Sequence, residues 1–394
     1  MRKVGVVGIG HTKFGNLSDY ELVDIMAYAS LNAMEDAGID GGIDQVIVGN
    51  MGAGMLNHQT GIESALVSTL NLEPAMAELV SNGPASGSSA FKMGYMVVAS
   101  GMADVVLVTA GEQMRRVTGW EATDFVATLS HPEVEYPYGL TLPAFAAMFT
   151  RAYMAKYGLT ERQLSLIAVK DHLNAEKNPF AHVQLPVTME GIADSSHASV
   201  VNSYVSEPLR LYHMCPVSDG ATSVVMCAMD GAARFKKKPV RIAGIGSATD
   251  THCVHNRKDP LDLKAVRLAA ETAYKIAGIG PKDISFAELH DAFVILELCL
   301  AEEVGFFEKG KAIEAVEKGE TEVSGRLPIN PSGGLKAKGH PVGATGISQI
   351  HELVKQLRGE AEKGRQVKNP KYGLAVNFGG FGNNVVATIL AKEQ

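Results

Sequence analysis

The chain has 394 residues and a formal net charge of -7, with hydrophobic residues at 46% and charged residues at 20%. That balance belongs to a compact soluble enzyme of two or three domains, and the absence of a basic footprint argues against nucleic acid or an anionic membrane as partner. Four cysteines (Cys215, Cys227, Cys253, Cys299), none in a CxxC pair, exclude a disulfide framework and a zinc ribbon and fit a reducing cytoplasm.

The first residues run directly into an apolar strand, Val4 to Gly8, with no cleavable leader pattern. Glu21 to Ala37 has helical spacing and stops at Gly38, and Val46 to Gly49 reads as a second strand. A helix carrying Phe91, Met93, Met96 and Val97 follows, then a strand from Asp104 to Ala110. Gly94 to Gly111 is the longest apolar region, but Ser100, Gly101 and Asp104 interrupt it, so no spanning helix is expected. Strand alternating with helix predicts a mostly parallel sheet covered on both faces.

The same grammar returns later. Val240 to Gly246 echoes Lys3 to Gly10, and Leu263 to Ile279 echoes Leu22 to Ile39, both ending in Ala-Gly-Ile, which predicts a duplicated α/β unit. The expected division is 1–114 for the first half, 115–233 for a loop-rich insert with helices near 144–157 and 161–176, and 234–394 for the second half. The basic run Arg234 to Pro239 reads as a solvated linker.

Chemistry concentrates in Asn330 to Gly346, NPSGGLKAKGHPVGATG, a glycine-dense loop with His340 between Gly339 and Pro341. Glycines let backbone approach a ligand closely, and the helical run after Pro341 aims free amides at the same spot, setting a base beside an anion-binding surface. Taken alone, such a loop is equally well read as a turn holding a packed histidine.

Together with ELHDAF (Glu288 to Phe293), CPVSDGATSVV (Cys215 to Val225), NFGGFG (Asn377 to Gly382) and KDHLNAEKNP (Lys170 to Pro179), this loop resembles the thiolase superfamily, in particular its archaeal and sterol-carrier-protein-2-like branch. The resemblance implies a five-layered α/β/α/β/α fold, a homodimer, and carbon–carbon bond making or breaking on coenzyme A thioesters. It also implies a small zinc-ribbon and OB-fold partner protein that helps hold CoA. In such enzymes a cysteine at the start of a buried helix is acylated, the GHP histidine activates it, and a second cysteine moves a proton at the α-carbon.

This chain departs from that pattern at both cysteines. The segment resembling the family's CASG reads Pro84-Ala85-Ser86-Gly87, and the two positions used for the second cysteine hold Asn377 and Ala292. Proline suits the first turn of a helix but cannot be acylated. Ser86, Ser88 and Ser89 are expected to cap or pack, and Cys215 to act as a small hydrophobe. What remains is His290 and His340, able to polarise a thioester carbonyl, with amides near Gly379 as a second oxyanion site.

That kit suits enolate chemistry without an acyl-enzyme, as in thiolase-like retro-aldolases. The rival from another class is a non-catalytic CoA-fold scaffold subunit. Arg257 and Lys258 are candidates for the CoA phosphates, and Tyr136 and Tyr138 for the acyl pocket. Thr251 to His255 is too tightly spaced for the usual zinc geometries and reads as a loop, so no metal is expected. Gly8-Ile9-Gly10 lacks the third glycine of a dinucleotide fingerprint, and Asp171, His172 and His182 read as scaffolding of the insert.

Overall fold

The computed structural model describes residues 1–393. Its first half runs β1 (Val4–His11), α1 (Leu22–Ala37), β2 (Gln45–Gly49), the short α2 (Ala53–Leu56), α3 (Ile62–Thr69), β3 (Met76–Val80), α4 (Ser86–Ser100) and β4 (Val105–Gln113). Helix α1 stops as its sequence predicts. Gly38 takes a left-handed φ of 75°, and the amides of Gly38 and Ile39 return to the carbonyls of Glu35 and Met34.

The insert supplies α5 (Gly119–Ala127), α6 (Leu142–Tyr157), α7 (Glu161–Glu176), α8 (Ala198–Val201) and a small hairpin, β5 (Tyr204–Ser206) with β6 (Leu209–Arg210). Thr118 and Thr160 each cap their helix with a reciprocal box to Glu121 and Gln163. Next come β7 (Asp219–Ala228), β8 (Val240–Thr249), α9 (Lys264–Ala277), β9 (Phe286–Leu289), α10 (Val294–Glu303), α11 (Ala312–Glu317), α12 (Thr345–Arg358), β10 (Tyr372–Gly379) and β11 (Asn384–Lys392).

Nine of the strands form one ladder in the order β3-β2-β4-β7-β1-β8-β11-β10-β9. Two expectations change here. The sheet is mixed rather than mostly parallel: β2 pairs in parallel with β3 and β4, and β9 with β10, but β7, β1, β8 and β11 run antiparallel to their neighbours. In addition, β7 falls within 115–233 yet inserts between β4 and β1, so the insert ends before Asp219 and its last strand belongs to the first half. All ten residues of β7 are buried, as a central strand requires.

The two half-sheets meet through a short contact, Gly5 with Arg241 and Val6 with Val240. Helices α4 and α12 lie between the halves, where Phe91, Val106, Phe286, Ile347 and Leu353 share one core. A second core puts α1 and α3 on the outside of the first half, with Met26, Ala33 and Leu66, and a third puts α9 and α10 outside the second, with Val266, Ala273 and Leu296. The central core touches both half-sheets, so the three cores fill the four interfaces of five layers, α/β/α/β/α.

The duplication is visible in atomic contacts. A Cβ on Gly8 or Gly10 would sit 2.1 Å or 2.0 Å from the carbonyl oxygens of Ala33 and Ala29, and one on Gly244 or Gly246 would sit 2.2 Å or 2.0 Å from those of Ala273 and Ala269. Each half thus seats its outer helix directly on strand backbone, which side-chain-free positions alone permit.

Candidate active site

His290 follows immediately after β9. Its position is held by Asn330, which adopts a left-handed φ of 54°. Asn330 Oδ1 accepts the Leu289 amide at 2.7 Å, and its Nδ2 donates to Glu297 at 2.8 Å. Asp291, fully buried, accepts the Leu335 amide at 2.6 Å and so ties the HDAF segment to the glycine loop.

His340 sits on that loop just before α12. Gly339 adopts a φ of 108°, and a Cβ there would meet Ser218 Oγ at 2.7 Å, so this position requires glycine. The loop is anchored from the other half by Glu112, at the end of β4, which accepts Asn50 Nδ2 and the amides of Met51, Gly52 and Gly343 at 2.9 to 3.2 Å. Burial pushes the Glu112 carboxyl up to about 7 against those donors.

The two rings stand perpendicular with centroids 5.0 Å apart, and Phe378 stacks on His290 at 4.4 Å. Asn377 Nδ2 lies 2.9 Å from His290 Nδ1, and Thr345 Oγ1 lies 2.6 Å from His340 Nδ1. His290 is 2% exposed and His340 7%. Burial, then the neighbouring His340, holds His290 well below its ordinary value, and burial pushes His340 down to about 3. Both are neutral imidazoles at physiological pH.

Both histidines line a largely apolar cavity of about 140 Å3, walled by Pro84, Cys215, Ala292, Leu296, Phe381 and residues of α5. Pro84 faces this space, but it lies outside the helix rather than in its first turn. Helix α4 begins at Ser86 with Ala85 as cap, because Asn82 and Gly83 carbonyls take the amides of Ala85 and Ser86 in a preceding turn. The serines are occupied in hydrogen bonds within the protein: Ser86 donates to the Gly83 carbonyl at 2.6 Å, Ser88 to Asn377 at 2.8 Å, and Ser89 accepts from Asn82 at 2.7 Å.

Gly379 ends β10, and its neighbour Gly380 is the one that lines the cavity. Arg257 and Lys258 do not line it. Arg257 is buried, with Nη2 at 3.4 Å from the Thr251 carbonyl and, among the described residues, no partner for Nε or Nη1, whereas Lys258 is exposed. The tyrosines also miss the pocket: Tyr136 donates to Asp124 at 2.6 Å, and Tyr138 stands 83% exposed. Local sequence gives no sign of these orientations.

Two further features escaped sequence reasoning. Cys215 is part of the cavity wall, its amide bonded to the Ala292 carbonyl at 2.9 Å, and burial pushes its thiol up to about 12. Asp171 comes beside Asp291 and Glu297, where Lys170 supplies the balancing cation through Glu297 and Asp171, the latter at 3.4 Å. In the loop Thr251 to His255, Cys253 and His255 meet Glu135, but Glu135 already accepts from the His131 amide, the Val254 amide and His255.

Family models match both halves: the description "Thiolase, N-terminal domain" over residues 4–230 and "Thiolase C-terminal domain-like" over residues 246–392. This chain belongs to the thiolase superfamily. An acetyl-CoA acetyltransferase of Methanothermobacter thermautotrophicus is 40% identical over 393 residues, with both chains fully covered, and one of Methanocaldococcus jannaschii is 42% identical over 401, again with full coverage. Among solved structures, the Ltp2-ChsH2(DUF35) aldolase shares the fold at a TM-score of 0.84 and 25% identity, covering 100% of this chain and 98% of that one. On this thiolase frame, the sulfur-bearing side chains lining the cavity, among the described residues, are Met114, Met214 and Cys215, none of them an activated thiol.

Proposed function

We propose that this thiolase-superfamily chain is an enzyme that breaks or makes a carbon–carbon bond of an acyl-CoA by enolate chemistry, without an acyl-enzyme. The observation that carries the reading is the cavity itself: two neutral imidazoles at 5.0 Å, with a proline wall where a nucleophile would be needed. In the retro-aldol direction, the β-hydroxyl proton passes to a ring nitrogen, the Cα–Cβ bond breaks as the β-carbonyl forms, and its electron pair delocalises onto the thioester oxygen. Proton return to Cα releases a shorter acyl-CoA and a ketone or aldehyde. Donors aimed at that oxygen are the largest catalytic contribution such a step has available.

The substrate is read as a CoA thioester because the relatives named acetyl-CoA acetyltransferase act in that chemical class. The test is incubation with a panel of β-hydroxyacyl-CoA esters, following the shorter acyl-CoA by chromatography and the carbonyl product by hydrazine trapping. Cleavage supports the reading. CoA-dependent thiolysis of acetoacetyl-CoA in its place would assign acyl transfer, and turnover of neither class would leave the scaffold reading.

We also propose a homodimer through β3. Among the described residues it is an edge strand with a neighbouring strand on one side only, Met76 and Leu79 are 46% and 43% exposed, and Met93 and Met96 on α4 are 40% and 55% exposed. A two-fold copy adds a strand and covers the methionines. The aldolase it resembles is named with a DUF35 partner, and we extend such a helper to this chain. Helix α5, which walls the cavity, carries Trp120 on its outside at 83% exposure.

A further inference from the structure

The ring nitrogens of the two histidines are not equivalent. At His340, Thr345 Oγ1 lies 3.1 Å from the Pro341 carbonyl and 2.6 Å from His340 Nδ1; the carbonyl can only accept, so the single hydroxyl proton is assigned to it and a lone pair to the ring. His340 Nδ1 therefore carries the proton and Nε2 is bare. At His290 the arrangement is reversed. Asn377 takes the Ser88 hydroxyl on Oδ1 at 2.8 Å, a proton Ser88 shares with the Ala85 carbonyl at 3.0 Å, and turns its NH2 toward His290 Nδ1 at 2.9 Å.

An NH2 group only donates, so His290 Nδ1 accepts and the His290 proton is on Nε2. Among the described residues, no hydrogen bond within the protein engages Nε2 of either ring, and both rings line the cavity.

We infer that Asn377 and Thr345 are positioning residues that set opposite tautomers, making His290 the hydrogen-bond donor to the thioester oxygen and His340 the base that takes the substrate proton. This division of labour rests on the enolate reading above. It accounts for Asn377 physically, since a side chain with an NH2 for His290 and an oxygen for Ser88 does what neither a cysteine nor an aspartate there can do. The step balances within the site: the β-hydroxyl proton moves to His340 Nε2, the electron pair released from Cα–Cβ is held on an oxygen facing His290 Nε2–H, and the His340 proton returns to Cα. Phe378, stacked on His290, keeps the donor in the plane the oxygen must approach.

The decisive measurement needs no turnover. In the full-length protein labelled with 15N-histidine, two-bond proton–nitrogen correlation at neutral pH reads the tautomer of each ring, with His290→Gln and His340→Gln assigning the signals. The expected result is Nε2–H for His290 and Nδ1–H for His340. An Nδ1–H signal for His290 would mean that the Asn377 amide is turned, and would overturn the inference whether or not the enzyme cleaves any ester.

Asn377→Asp presents only acceptors and should move the His290 proton to Nδ1. With an ester that the wild type cleaves, it should lower kcat about 10²-fold at nearly unchanged KM, the order expected for loss of an oxyanion donor. Thr345→Ser, which keeps the hydroxyl, should hold wild-type turnover where Thr345→Val does not. Unchanged kcat in a folded Asn377→Asp protein would refute the positioning role while leaving the enolate reading in place.

Discussion

Gly346 and Ser88 touch backbone to backbone: a Cβ on Gly346 would lie 2.3 Å from the Ser88 amide nitrogen. This is where the two central helices cross, with α12 carrying the histidine loop of one half against the start of α4 in the other. Gly87 makes the reciprocal approach: a Cβ there would lie 2.5 Å from the Gly343 carbonyl oxygen. The His340 loop and the Pro84 turn share one cavity because each helix start presents a glycine, Gly87 or Gly346, at the crossing.

Gly346→Ala should therefore act on stability and site together. The methyl meets backbone, which cannot rotate away, so the helices must separate at a cost of about 1–3 kcal/mol or more. Urea unfolding should show the loss, and the 15N signals of His340 and His290 should shift. A variant as stable as the wild type would show that the crossing has slack.

Because Pro84 offers no nucleophile, incubation with acetyl-CoA should leave the intact mass unchanged. Pro84→Cys with Ala292→Cys tests whether the frame still supports a thiolase reaction, since a thiol near a helix start is acidified. An acetyl adduct on the wild-type chain, at Ser86, Ser88 or Cys215, would contradict the absence of an acyl-enzyme.

His340→Ala and His290→Ala should each lower turnover by about 10²-fold with little effect on ester binding, and the double variant should lose less than the product of the two. Both rings act in the same bond-breaking step. Turnover surviving both substitutions would remove the catalytic reading and leave a binding scaffold.

The depressed histidines give a pH prediction with a definite sign. His340, pushed down to about 3, stays neutral through the acid range, so kcat/KM should show no acid limb near 6.5 from this residue. A limb at that pH that vanishes in His340→Gln would contradict it. His213, buried beside Ser165 and also pushed down to about 3, reports on stability. The unfolded chain takes up the proton below about 6.5, so native stability from this group is present above 6.5 and is lost as pH falls toward 3, by ~1.4 kcal/mol per pH unit. His213→Gln removes that slope, and its stability difference from wild type should narrow on acidification.

For the dimer, Leu79→Lys with Met96→Glu places charges on the β3 edge and the neighbouring helix. Light scattering should report a monomer for the variant and a dimer for the wild type. A monomeric wild type would dismiss the β3 interface.

Much of this frame was legible in the sequence because the determining signals are local. Gly38 stops α1 through its own backbone, and the paired glycines of β1 and β8 announce the repeat. His290 and His340 were legible because each sits in a short, unusual motif. What local sequence cannot carry is pairing at a distance. Strand β7 reads as a motif rather than as a central strand because its partners lie far up the chain. Asn377 reads as a missing cysteine until Ser88 and His290 flank it, and Tyr136 reads as a pocket residue until Asp124 claims its hydroxyl.

The placement of β7 also has a consequence for how the chain assembles. Its register joins Ala228 to Val4 on one side and Cys227 to Val105 on the other. During synthesis, β1 and β4 emerge long before the strand that must lie between them. The first half consequently waits with two apolar strand edges open while the whole insert is made, and its sheet closes only when residues 219–228 arrive. Non-local closure of this kind is slow and leaves edges available to wrong partners, so a chain truncated ahead of β7 is expected to aggregate rather than to fold as an independent half.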